Sequence, residues 1–155
     1  MDIYIRNAKI EDYENILSIM NQVQKLHVEW RPDIYRSNED FFSIEYLKEA
    51  IKKETFYVAE FHNKIIGILE VVDRHIESPS HVTRDILFID TMAVDEEYRG
   101  MGVGYKFFEF IKMRKTQKHF DGIELQVNAK NTLAYEMYRK CGFTEKSINM
   151  ELLEN

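Results

Sequence analysis

The chain has 155 residues, of which 45% are hydrophobic and 13% aromatic, and a net charge of −6. That much apolar material fills the core of one ordinary domain, which argues against a disordered chain. Lys and Arg are interleaved with Asp and Glu and form no basic block, so binding to a nucleic-acid backbone is not expected.

The single cysteine, Cys141, leaves no partner for an internal disulfide. No apolar run approaches the ~18 residues that a membrane helix needs, so no membrane partner is expected. The opening "MDIYIRNAKIEDYEN" is too charged for a signal peptide, and a reducing, cytoplasmic setting is the expectation. With two prolines, no Gly/Ser-rich linker and no repeat, residues 1–155 are expected to form a single domain. A mildly acidic surface suits a cationic small substrate, although it is also ordinary for soluble domains.

In chain order, "DIYIRNA" alternates like a half-buried strand. From Glu11 to Leu26, Tyr13, Ile16, Leu17, Met20, Val23 and Leu26 recur at the spacing of an amphipathic helix. "HVEWRPDIYRSNED" breaks the pattern at Pro32 and the Ser-Asn pair and predicts a loop with a short turn of helix. "FFSIEYLKEAIKK" predicts a second helix with Ser43 as a possible N-cap. "TFYVAEF" and "IIGILEVVDR", joined by His62-Asn63-Lys64, predict a β-hairpin. "HIESPSHVT" reads as a loop, and "RDILFIDTMAV" as a long apolar strand. A helix follows from Gly102 or Gly104, then the strand "GIELQVNA". "NTLAYEMYRKCG" puts Leu133, Ala134, Met137, Tyr138 and Cys141 on one helix face, with Gly142 placed to end it. "FTEKSINMELLE" is expected to add one or two closing strands. The sum is an α/β fold: a mixed, mostly antiparallel central sheet with helices on both faces.

Half of the six glycines sit in "RGMGVG", Arg99 to Gly104, between a strand and a helix. Helix first turns carry unpaired N–H groups at a positive dipole end, and glycines let an anion reach them. The dinucleotide pattern G-x-G-x-x-G fails, because Tyr105 or Phe107 stands where the third glycine belongs. Asp121 and Glu124 stand where a ribose-binding acid would. The P-loop pattern also fails, since no Ser or Thr follows Lys106.

"RGMGVG" resembles the Arg/Gln-x-x-Gly-x-Gly/Ala loop of the GNAT family of N-acetyltransferases, with Arg99, Gly102 and Gly104 at its defining places. "NTLAYEMYRKCGF" is similar to that family's N-x-x-A-x-x-x-Y-x-x-x-G-F, through Asn131, Ala134, Tyr138, Gly142 and Phe143. The two stand in the family's order with a strand between them.

The resemblance implies acetyl transfer from acetyl-CoA, as co-substrate, to a primary amine by direct attack in a ternary complex, with no metal. The acceptor would be a small cationic amine or a protein or peptide amine. It implies that the backbone of Gly100, Met101, Gly102, Val103 and Gly104 takes the pyrophosphate, with Arg99 and Lys106 as side-chain helpers. Met92, Ala93 and Val94 would pair with the pantetheine arm, an N–H near Met92 facing the thioester oxygen, and Asn131 would touch the cofactor. Tyr138 would hydrogen-bond the departing thiolate. Full transfer from a phenol near 10 to a thiol near 8.5 is uphill by roughly 2 kcal/mol in water, so partial transfer suffices. Read without the motif, Tyr138 is a core aromatic.

An amine of pKa ~10.4 is neutral in about one molecule in 2,500 at pH 7, so a base is needed. Some family members carry a glutamate on the strand before the glycine loop, and Phe88 occupies that place here. Asp90, two residues on, shares its strand face and is the nearest candidate base, with Glu70 and Glu124 as alternatives. Glu29, Trp30 and Tyr35 stand in the segment that lines the acceptor site in this family. His27, His75 and His81 show no metal-ligand spacing, and Cys141 reads as packing. A CoA-binding sensor of the same fold with little turnover is the alternative, favoured by Phe88 and opposed by Tyr138. Dimers are common in the family, and a homodimer stays open.

Overall fold

The computed structural model describes residues 2–154. Five strands form one sheet in the order β1 (Tyr4–Asn7), β2 (Phe56–Phe61), β3 (Lys64–Ser78), β4 (His81–Val94) and β5 (Gly122–Leu125). Neighbours are antiparallel up to β4; β4 and β5 are parallel, joined through α3 (Val103–Lys118). The mixed, mostly antiparallel sheet expected from the sequence is therefore present.

Both faces are covered. Helices α1 (Tyr13–Trp30) and α2 (Ile44–Lys53) bury Ile16, Ile19, Leu47 and Ala50 against Phe56, Val58 and Ile68 on one face. On the other face, α3 sets Val103, Phe107, Phe108 and Ile111 against Tyr57, Leu69, Val71 and Leu87. Met137, Tyr138 and Cys141 of α4 (Thr132–Lys140 and its cap) pack beside them. Each fully buried Leu, Ile or Phe of these two cores contributes about 1.5–3 kcal/mol relative to exposure.

Local signals placed most ends. The Ser43 hydroxyl accepts from the Tyr46 N–H at 3.1 Å and starts α2. His62 and Asn63, both at positive φ, make the two-residue turn between β2 and β3.

Three expectations change. Helix α1 continues through His27 to Trp30, because the Arg31 N–H still bonds back to His27 and only Pro32 stops the helix. The segment read as the loop "HIESPSHVT" is strand instead: β3 and β4 stay paired out to Ser78 and His81, turning only at Pro79-Ser80. Finally, residues 143–154 form no strand.

Candidate active site

Strand β4 carries the site, and its two halves differ. Ile86 to Ile89 pair with Gly122 to Leu125 of β5, where β5 ends. Strand β4 runs on from Asp90 to Val94 with β3 on one side and, among the described residues, no strand on the other. The Asp95 N–H donates to Ile66 across β3 at 2.8 Å. Alternation therefore turns the N–H and C=O of Val94 and Met92 the other way, into the opening beyond β5.

A β-bulge lies at the start of this free stretch. Glu70 pairs with Thr91 and Val71 with Ile89, so Asp90 is the extra residue. Phe88, paired with Val72, looks toward α1 and α2, and Asp90 comes beside Glu70 on that face. Past the bulge the alternation is reset: Met92 and Val94 pack toward α3, and Ala93 toward α1.

The glycine loop follows. Gly100 and Gly102 hold φ of +78° and +87°, and a Cβ on either would meet no atom of the described residues within 4 Å. Gly102 caps α3, whose first internal bond is Lys106 N–H to Gly102 C=O at 3.1 Å. The N–H groups of Val103, Gly104 and Tyr105 therefore have no carbonyl in their own helix. Gly104 has a different reason to be glycine: a Cβ there would sit 2.9 Å from the Met137 sulfur, so α3 and α4 touch at this point. Arg99 donates from Nε to the Val94 carbonyl at 3.3 Å, holding its guanidinium at the mouth of the opening. Lys106 points away, toward Glu109 at 3.9 Å. Met101 is exposed.

The acidic candidates separate by environment. Glu70 is only 5% exposed. Burial is the largest influence on it. The Tyr46 hydroxyl, donating to Oε2 at 2.6 Å, pulls its pKa down, the Asp90 charge pushes it up, and the net result is about 7. Asp90 itself is exposed. Glu124 is ion-paired with Lys146 at 3.0 Å and Arg84 at 3.6 Å, so its charge is already matched. At the place of the family's glutamate, Phe88 is buried under the Arg74 guanidinium, 3.5 Å from its ring centre.

Tyr138 packs edge-on to Phe108 at 5.7 Å and beside Phe143 at 6.0 Å. Burial raises its phenol pKa, and its hydroxyl has no partner among the described residues. Asn131 caps α4, its side-chain oxygen accepting from the Ala134 N–H at 3.2 Å. Trp30 and Tyr35 flank His27, with centroids 5.9 and 4.7 Å away, and burial lowers the His27 pKa. Glu29 lies exposed on α1 beside them.

Tyr46 is the residue that sequence reasoning missed. It stands on the first turn of α2 with no pattern to single it out, and only the seating of α2 on the sheet brings it to Glu70. Among the described residues no group of His, Cys, Asp and Glu gathers to hold a metal ion, and no helix is long and apolar enough to cross a membrane.

An open mixed sheet, parted at a parallel pair and followed by a glycine-capped helix, defines an acyltransferase-type α/β domain. Comparison with known proteins agrees. Residues 20–143 match the model of the Acetyltransferase (GNAT) family. An N-alpha-acetyltransferase of Sulfurisphaera tokodaii is 27% identical over 150 residues, 93% of this chain and 81% of that protein. Streptothricin acetyltransferase of Escherichia coli is 33% identical over 94 residues, 61% of this chain and 49% of that protein. A crystal structure of a mutant BH1408 protein from Bacillus halodurans superposes with a TM-score of 0.88 at 31% identity, covering 98% of this chain and 99% of that one. The chain belongs to the Acetyltransferase (GNAT) family, and its function is that of an acetyltransferase of this type.

Proposed function

We propose that the protein transfers an acetyl group from acetyl-CoA to a primary amine, both bound at once. The observation that carries this reading is the free stretch of β4 from Asp90 to Val94 leading into the open glycine loop. The loop's φ angles and the empty space above Gly100 and Gly102 fit a phosphate-bearing group.

In this reading the N–H groups of Met101 to Tyr105 hold the pyrophosphate, and Arg99 adds charge at its lip. Met92 and Val94 offer backbone groups to the pantetheine arm as a neighbouring strand would. The co-substrate supplies an activated acetyl carbon. The Met92 N–H, fixed in the strand, stands ready for charge developing on an acyl oxygen. Tyr138 offers its unpartnered hydroxyl to the departing sulfur, and Asn131 shapes the nearby end of α4.

Glu70, Asp90 and Tyr46 manage the amine's proton. Moving a proton from an ammonium of pKa ~10.4 to an ordinary glutamate costs about 8 kcal/mol; to a carboxylate near 7 it costs about 5 kcal/mol. Asp90, exposed at the bulge, attracts the ammonium, and Glu70 behind it takes the proton. The arrangement suits a small cationic amine. Two relatives whose names specify streptothricin and alpha-amino acetylation support acceptors of that kind or a peptide amine. Glu29, Trp30 and Tyr35 border the approach from α1.

The test is thermal unfolding with acetyl-CoA, CoA and NAD in parallel. A ligand at 100 times its dissociation constant stabilises by about 2.7 kcal/mol, a shift of several degrees. A shift with both CoA forms and none with NAD, followed by amine-dependent thiol release, is expected. No shift with either CoA form overturns the reading, and a shift without release from any amine leaves a sensor.

A further inference from the structure

On the side of α1 and α2, β3 presents Glu70, Val72 and Arg74 in turn, and β4 presents Asp90 and Phe88 beside them. The row on β3 begins buried and ends in solvent. Glu70 is 5% exposed, Val72 37%, and Arg74 is exposed. The result is an open floor with acids at one end and a cation at the other.

Arg74 is fixed in place yet unmatched in charge. Its guanidinium carbon lies 3.5 Å from the centre of the Phe88 ring. Stacking occupies the flat face of a guanidinium and leaves the N–H groups around its edge free to donate. Among the described residues no carboxylate pairs with it. Glu124, beside Phe88 on the same face, is taken by Lys146 at 3.0 Å and Arg84 at 3.6 Å. Asp85 is held by His75 at 2.7 Å, and alternation turns both to the opposite face. A glutamate at position 88 would pair with Arg74 and cancel its charge. The phenylalanine ring orients the guanidinium and leaves that charge for something else.

The spacing limits what that is. Phe88 pairs with Val72, two residues along β3 from Glu70. At ~3.3 Å per residue, the guanidinium stands about 7 Å along the strand from Glu70 and Asp90. Two extended peptide residues span about that length. In a single α-amino acid one carbon separates the amine from the carboxylate, which is too short to reach both ends of the floor.

We propose that Arg74 is a specificity-determining residue that takes a carboxylate of the acceptor, so that the acceptor is an amine with a carboxylate about 7 Å away, as in a dipeptide or a lysine-length amino acid chain. This rests on the transfer reading above. The ammonium lies at Asp90 and Glu70, the stem crosses Val72, and the carboxylate meets the edge of Arg74 through two parallel N–H bonds. An acceptor without the carboxylate leaves Arg74 unmatched and binds less well.

Thiol release at saturating acetyl-CoA, read as kcat/KM, tests this with matched acceptors: glycylglycine against its C-terminal amide, and ε-aminocaproate against its amide. Wild type should prefer the acid of each pair by about tenfold or more, the range of a hydrogen bond to a charged group. In Arg74→Gln that preference should disappear. Arg74→Lys, which keeps the charge without the planar fork, should restore part of it. Glycine and glycinamide, too short to span the floor, should keep the same ratio in wild type and Arg74→Gln. Amides accepted as well as their acids by wild type, or a preference that survives Arg74→Gln, overturn the proposal and leave the transfer reading in place. If no amine gives thiol release, the transfer reading fails, and the same pairs are compared by thermal unfolding with CoA present. A larger shift from the acids that Arg74→Gln abolishes then supports the carboxylate subsite, and equal shifts refute it.

Discussion

The Tyr46 hydroxyl donates to Glu70 Oε2 at 2.6 Å, joining the first turn of α2 to the bulged centre of the sheet. The contact lowers a Glu70 pKa that burial and Asp90 raise, and sets it at about 7. If Glu70 takes the amine's proton, only its ionised form works. kcat/KM should then rise with pH and level off above about 7. Tyr46→Phe removes an influence that lowers the pKa, so the rising limb should move to higher pH. Glu70→Gln should lower kcat/KM at least hundredfold and abolish that limb. Rates that stay within threefold of wild type in Glu70→Gln would remove Glu70 from proton transfer.

The same group makes stability depend on pH. Its folded pKa is raised above the unfolded value of 4.5, so the folded state holds the proton more tightly. The stabilisation that Glu70 contributes is present below pH 4.5 and is lost as pH rises through 7. Glu70→Gln keeps the Tyr46 contact and has no proton to lose. Its unfolding free energy relative to wild type should therefore climb between pH 5 and pH 8, by up to about 3 kcal/mol. Denaturant titrations at the two pH values check this; a constant difference would mean that water reaches the carboxylate.

Tyr138→Phe keeps the ring packed between Phe108 and Phe143 and removes a hydroxyl that has no partner among the described residues. Unfolding free energy should stay within about 0.5 kcal/mol and CoA affinity should be little changed. Turnover should fall at least tenfold, measured as thiol release at saturating acetyl-CoA. Full turnover would assign Tyr138 to packing alone.

Gly102→Ala tests the loop. At φ +87° an alanine is strained by about 1–2 kcal/mol, and its Cβ would stand in the open space above the loop. The apparent Kd for CoA should rise at least tenfold while the melting temperature falls by only a few degrees. Gly104→Ala should instead act through Met137, whose flexible thioether end would have to shift away from the new Cβ, so its stability should change little while the packing of α4 on α3 moves.

Much of the fold was legible in the chain. The apolar spacing in α1 and α4, Ser43 before α2 and Asn63 in the first hairpin each act within a few residues, and each element formed. The long β3–β4 hairpin was not legible. Its outer half, from Arg74 to Asp85, is polar and mostly exposed, and it is strand only because the two halves pair with each other. The closing segment differs for the converse reason: it has a strand's alternation, but no strand among the described residues pairs with it.

The sequence by itself determined the glycine loop, its cap on α3, the tyrosine of α4 and the family they point to, because these depend on backbone conformation and spacing along one stretch of chain. The tertiary structure decided which carboxylate is perturbed. Asp90 stood nearest in sequence terms, but a bulge opposite Glu70 and the seating of Tyr46 on it make Glu70 the buried member of the pair. Burial and through-space charge depend on what the rest of the chain brings together, and no local pattern records that.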